Sequence, residues 1–444
     1  MSTQKAKVDH LTAVMSGGSG GGDELLFGTT PVSALADQVS TPFYAYSGDA
    51  IEARINRLRS ALGSDTEIFY SLKANPSLGI CQLMANKGVG AELASIGELL
   101  LAKKAGFAPE MIIFAGPGKS MEELETSITM GISAINAESA GEIERIAEIA
   151  ARHGTVARVS LRVNPAAALK GAQMRMGGGP QQFGIDEEQV PGILDRFSGH
   201  PNLQFVGIHV YAGTQMTDAE AILANCRNTL EVGRAVSERI EQPLQELDFG
   251  GGFAVPYFEN SPEFDLDLFA AGYRELIKEA KGETAFAGTR FIIELGRYLV
   301  AEAGVYVTRV VDVKWSRGKK YIVTDGGMNH HITATGNFGQ VFRKSYPIAA
   351  LTHLHGDMED PAAVVGPCCT PLDILGQNLE LPAVETGDLI GVFYSGAYGY
   401  SASSLAFLSH PTPAEVMVYR GNTHVLRKQG RPDQVLDGQI PVQM

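Results

Sequence analysis

The chain has 444 residues, too many for one typical hydrophobic core, so two domains are the first expectation. Apolar residues make up 44% and charged residues 19%, an ordinary globular balance, and a net charge of −14 argues against nucleic acid as the main partner. No window supplies the roughly 20 apolar residues of a membrane span, no basic-then-apolar stretch marks a secretion signal, and Cys81, Cys226, Cys368 and Cys369 lack metal-ligand or disulfide spacing, so a reduced, cytoplasmic protein is expected.

Residues 1–23 contain the run Ser16–Gly22, read as flexible, with folding expected from Glu24 and segment 24–42 joining a β domain. Pro31–Gln38 reads as a short helix and Phe43–Tyr46 as a strand. Apolar, strand-like runs then recur at 67–73, 89–94, 111–115, 132–137, 156–163, 204–212, 245–250 and 290–295. Helical patterns such as Glu138–Ala151 and Glu220–Ile240 lie between them. Ser95 followed by Glu98 reads as a capping box. Strand–helix alternation calls for parallel strands, and eight runs predict an α/β fold: a (β/α)8 barrel over 43–297. After Arg297 the runs 305–313, 320–325, 362–365, 388–394 and 415–419 alternate with no helix, which predicts a mostly β domain over 298–444.

Barrel active sites lie at the C-terminal strand ends. Those ends carry Lys73, Glu92, Gly116, Glu138, Arg162, Asn164, His209, Gly213, Gly250–Gly252, Glu294, Gly296 and Arg297. Lys73 ends an apolar run cut off by Asn75-Pro76. In apolar surroundings its amine would lose proton affinity and become a nucleophile; at a plain strand exit the ammonium would sit in water. Glu294 is carried in by Phe291-Ile292-Ile293, where it could hold a pyridine nitrogen protonated or pair structurally with Arg297. Gly250-Gly251-Gly252 could offer N–H groups to an anion but does not complete a dinucleotide fingerprint. His209 reads as a core histidine or a catalyst. His330-His331 does not face one metal, and no metal site is expected. Cys369 sits where a strand breaks, the usual place of a buried inert cysteine. Tyr398, in the turn Ser395–Gly399, could present its phenol to a phosphate.

Taken together, Phe69–Pro76, Ala91–Leu99, His209–Gln215, Asp248–Tyr257, Glu294–Gly304, Gly366–Asp373 and Ser395–Gly399 resemble the fold-type III pyridoxal phosphate (PLP)-dependent decarboxylases, the diaminopimelate/ornithine group. The resemblance implies a PLP-binding barrel followed by a β domain, and a head-to-tail homodimer with shared sites. It implies Lys73 as the Schiff-base lysine, His209 stacked on the cofactor ring, and Glu294 on the pyridine nitrogen. Glu92, Arg162, Gly213, Gly251, Gly252, Gly296, Arg297 and Tyr398 would bind the cofactor, with Arg297, Thr370 and Tyr398 toward the substrate. Cys369 would return a proton after CO2 leaves. Related alanine racemases place an arginine opposite the ring nitrogen, so Glu294 favours decarboxylation.

One departure bears on the substrate. In that group an acidic residue follows the cysteine and binds the distal amine, whereas this chain has Thr370. A free distal ammonium would be poorly paired there. Gly326–His331, the Cys-Thr-Pro turn and the Ser-Gly-Ala-Tyr-Gly turn resemble the butirosin-type decarboxylase, which acts on a glutamyl group on an acyl-carrier protein. Met176–Phe183 and Thr370–Leu375 resemble exosortase-associated decarboxylases. The implied function is decarboxylation of an amino acid lacking a free distal amine, in a biosynthetic pathway, with diaminopimelate decarboxylation as the alternative. A regulatory homologue would be expected to lack Lys73 or Cys369, and both are present.

Overall fold

A computed structural model describes residues 3–18, 22–166, 174–175, 179–197, 199–337 and 344–444. It divides into two compact units. One comprises Met1–Ala53, Pro256–Ser261 and Val300–Met444, the other Arg54–Val255 and Pro262–Leu299.

The first unit's sheet opens with β1 (Phe43–Ser47). The second unit follows with β2 (Thr66–Ser71), β3 (Gly90–Leu93), β4 (Ile112–Phe114), β5 (Ala134–Ala137), β6 (Ala157–Asn164), β7 (Leu203–His209), β8 (Glu246–Gly251) and β9 (Arg290–Leu295). Each pairs in parallel with the next, and β9 returns to β2, which closes an eight-stranded barrel. All eight predicted runs are barrel strands. Five of the helices between them start where a serine or aspartate accepts a backbone N–H: Ser95, Ser120, Ser139, Asp218 and Asp265. At Ser95 only half of the predicted box forms, because the Glu98 carboxylate accepts from Ala94 N–H instead (2.8 Å).

The barrel interior is layered. Phe69, Ile113, Ala134, Val206 and Ile292 form a dry middle. Gly90 has no side chain because a Cβ there would lie 2.6 Å from the Phe69 ring. The N-terminal strand ends are plugged by charge: Arg290 holds Glu67 (2.6 Å) and Ser133 Oγ (2.8 Å), and Glu246 Oε2 lies 3.8 Å from Arg290.

Burial pushes the Glu246 carboxyl up to about 7, against the pull of Arg290 and Arg158. A carboxyl raised on folding stabilises the fold below its unfolded pKa near 4.5, and that contribution is lost as pH rises through 7. The loss is on the order of 3 kcal/mol. Chemical denaturation from pH 5 to 8.5 should therefore show Glu246→Gln with a flatter stability profile than the parent. Parallel profiles would contradict this.

In the first unit, β10 (Gly304–Ser316) is central. It pairs antiparallel with β1, β11 (Lys319–Thr324) and β15 (Leu389–Val392). β12 (Ile348–Ala350) joins β15, and β13 (Ala362–Val365) and β14 (Ile374–Leu379) extend the β11 edge. β16 (Ala414–Tyr419) runs parallel to β1 and pairs with β17 (Asn422–Arg427).

Two expectations are corrected. Phe43–Ser47 is not a barrel strand. Its aromatic residues are buried between β10 and β16, so the strand expected from 24–42 lies just after it. Thr3–Ser16 is a helix rather than a flexible lead, because Val8, Leu11 and Met15 recur at helical spacing and are buried. Residues 19–21 of the glycine run lie outside the described residues, as do 176–178 of the Met176–Phe183 segment.

Candidate active site

At the C-terminal mouth of the barrel, β7, β8 and β9 end side by side and bring together His209, Asp248 and Glu294. Each offers a ligand atom within 4.8 Å of the others. All three are at most 3% exposed. Two buried carboxylates cannot both carry charge cheaply. Burial and the neighbouring Glu294 push Asp248 well above the usual carboxylate range. Burial also opposes the Glu294 charge, but the His209 ring, the Asp248 hydroxyl and Lys73 outweigh it and hold Glu294 at about 2. Asp248 therefore keeps the proton and Glu294 stays an anion. Asp248 Oδ1 also accepts the N–H of Gly250 (2.8 Å), which fixes its orientation.

His209 Nε2 stands 3.2 Å from Glu294 Oε2, off the hydrogen-bond direction. Neither His209 nitrogen, nor Glu294 Oε1, has a hydrogen-bond partner among the described residues. A core histidine would be hydrogen-bonded, and this one is not.

Of the two readings of Lys73, the structure bears out the open strand exit rather than apolar enclosure. β2 ends at Ser71, and Leu72–Ala74 form a 3-10 turn that swings the lysine into the open mouth, its side chain 46% exposed. There its amine is 3.3 Å from Glu92 and 5.7 Å from the centre of the Tyr211 ring. A Cβ on Gly296 would lie 3.0 Å from Ala74, so the glycine lets the Lys73 turn pack against the end of β9, where Arg297 begins a short helix.

Arg162 donates to Glu138 (3.1 Å) and lies over the rings of Phe183 (4.8 Å) and Tyr211 (6.0 Å). Glu138 also accepts the N–H groups of Gly116 and Gly184, tying three loops to one buried carboxylate. The glycine run is shaped by close approach: a Cβ on Gly251 would lie 1.7 Å from Glu294 O, and one on Gly252 would lie 1.9 Å from Gly213 O. Gly250 and Gly252 also have positive φ, +63° and +93°.

The remaining candidates belong to the first unit. Cys369 is exposed, contrary to the buried reading. The buried cysteine is Cys368, whose thiol burial and Asp373 push up to about 12. Asp373 accepts the N–H groups of Met328 (2.6 Å) and Cys368 (2.8 Å), so it fastens the loop that carries Cys369 and Thr370. Tyr398 is half-buried with φ +54°. Sequence reasoning gave no role to Asp248, Tyr211 or Asp373. The available signal for Asp248 was a charged residue inside the apolar strand Leu247–Phe249.

Residues 48–301 match the pyridoxal-binding domain of the pyridoxal-dependent decarboxylases. The chain belongs to this family. It is 40% identical to the L-glutamyl-[BtrI acyl-carrier protein] decarboxylase of Niallia circulans, over 92% of this chain and 96% of that one. It is 33% identical to the diaminopimelate decarboxylase of Zymomonas mobilis, over 90% and 92%. The crystal structure of a diaminopimelate decarboxylase from M. jannaschii superposes with a TM-score of 0.87 at 25% identity, covering 95% of this chain and 97% of that one.

The protein is thus a PLP-dependent amino-acid carboxy-lyase. The barrel mouth fits that cofactor. The free Glu294 Oε1 is an acceptor for a ring N–H, and the His209 ring is held by packing and by the Glu294 charge rather than by hydrogen bonds. Among the described residues no helix is long and apolar enough to cross a membrane.

Proposed function

We propose that this decarboxylase acts on an amino acid whose distal end carries no free ammonium, specifically a glutamyl group on an acyl-carrier protein, as a cytoplasmic homodimer in a biosynthetic pathway. The observation that carries the reading is Thr370. The residue after Cys369 is neutral, on a loop whose course Asp373 sets. Similarity to the N. circulans enzyme supports it.

Loss of CO2 leaves an electron pair at Cα, and PLP supplies the protonated, electron-accepting ring that receives it. Lys73 would hold the cofactor covalently, with Glu92 beside its amine. Glu294 would keep the ring nitrogen protonated, and His209 would lie against the ring. Gly213, Gly251, Gly252, Gly296, Arg297 and Tyr398 would bind the phosphate or the substrate carboxylate, and Arg162 would line the mouth with Tyr211. Cys369 would return the proton to Cα, in a head-to-tail dimer. The barrel is assigned to 43–297, less the β1 strand, and the β domain to 298–444 with the N-terminal segment.

A gain of function tests the substrate reading. Thr370→Asp should raise kcat/KM for meso-diaminopimelate by about 10- to 100-fold, the worth of one charge-assisted hydrogen bond. It should also lower turnover of carrier-bound glutamate. Steady-state CO2 release checks both. A variant that gains nothing on diaminopimelate, beside a parent that already turns it over well, would overturn the proposal.

A further inference from the structure

His330-His331 has no part in the chemistry above. Its surroundings give it one, which rests on the proposed placement of Tyr398 at cofactor or substrate. The turn from Tyr394 to Tyr398 has positive φ at both ends, +57° and +54°, a conformation that L residues hold only when their surroundings impose it. Its middle is tied to the chain after β9: Ser395 N–H donates to Gly304 O (2.8 Å) and Gly396 N–H to Ala301 O (3.1 Å). Gly399 lies flat on the Tyr44 ring, where a Cβ would come within 2.5 Å.

His331 is fully buried among Tyr44, Tyr306 and Tyr346, at ring-centre distances of 5.7, 5.6 and 5.9 Å. Its Nε2 is 2.8 Å from Ser395 Oγ and its Nδ1 is 3.0 Å from Thr333 Oγ1. The Thr333 hydroxyl also lies 3.1 Å from Tyr398 O. One imidazole therefore reaches the turn at two points, Ser395 directly and Tyr398 through the Thr333 hydroxyl.

Proton positions follow from the partners. Ser395 donates its hydroxyl proton to Val392 O (2.6 Å), so its oxygen accepts from His331 Nε2–H. Burial drives the His331 pKa down to about 3, so the ring is neutral and its Nδ1 is an acceptor. The Thr333 proton is then shared between Nδ1 and Tyr398 O. His330 points elsewhere, to Tyr306 Oη (3.1 Å) and Pro411 O (2.9 Å).

We infer that His331 and Thr333 are positioning residues that clamp the Tyr394–Tyr398 turn and so set the height and direction of the Tyr398 phenol. Thr333→Val keeps the shape and removes the bond to Tyr398 O. His331→Phe keeps a ring and removes both bonds. In the holoenzyme, amide hydrogen–deuterium exchange over residues 394–400 should accelerate roughly tenfold in either variant, the worth of one buried hydrogen bond. The PLP dissociation constant or KM should rise by a similar factor, as it should in Tyr398→Phe. Exchange at the parent rate in Thr333→Val would overturn the clamp, even where His331→Phe fails to fold. Faster exchange with PLP affinity and KM unchanged, in these variants and in Tyr398→Phe alike, would uphold the clamp and remove the role proposed for Tyr398.

Discussion

Replacing Lys73 with alanine should cost this decarboxylase about 10^4-fold or more in kcat, the scale seen when a covalent nucleophile is removed. No other amine can substitute within the described site. The Lys73 side chain stands at the open mouth with Glu92 at 3.3 Å, while Lys119, the next lysine along the rim, is buried and bound to Glu142 at 2.7 Å. The parent should be yellow and lose its visible absorption in the variant, whatever the substrate. An active or still yellow Lys73→Ala enzyme would show that the lysine is only a rim cation.

Glu294→Gln should be the second most damaging change, lowering kcat by about 10^2- to 10^3-fold, the usual effect of removing one preorganised charge from a dry site. The reason lies in the Asp248–Glu294 pair. The Asp248 proton and the His209 ring keep Glu294 ionised at a pKa of about 2, so its charge is present throughout the working pH range. A glutamine fills the space but cannot hold a ring nitrogen protonated. The loss should appear in kcat with little change in KM, and should not be recovered between pH 5 and 9. A pH-dependent recovery, or a change confined to KM, would mean that Glu294 acts by shape.

Much of this was legible in the sequence, for local reasons. The eight barrel strands are apolar runs, and five of the helices that follow them open on a serine or aspartate cap, signals that lie within a few neighbouring residues. Phe43–Ser47 looks the same locally. Its sheet is decided by partners at Gly304–Val307 and Ala414–Val418, some 260 to 370 positions away, which no periodicity reveals. The Lys73 surroundings stayed open between apolar enclosure and a plain strand exit, because a 3-10 turn after Ser71 decides between them by carrying the side chain into the open mouth. Asp248 was missed for a different reason: its importance comes from two buried carboxylates on adjacent strands competing over charge, and the outcome depends on Glu294 being 3.2 Å from a histidine on a third. The Thr3–Ser16 helix was hidden by the glycine run beside it.

The most direct test of the account is CO2 release by the wild-type enzyme with PLP, measured side by side on glutamate loaded on an acyl-carrier protein, free glutamate and meso-diaminopimelate. The account predicts turnover of the carrier-bound glutamyl group, with diaminopimelate at least 100-fold poorer in kcat/KM, as expected for a distal ammonium left without a carboxylate partner. Efficient turnover of diaminopimelate, with none of the carrier-bound substrate, would contradict it.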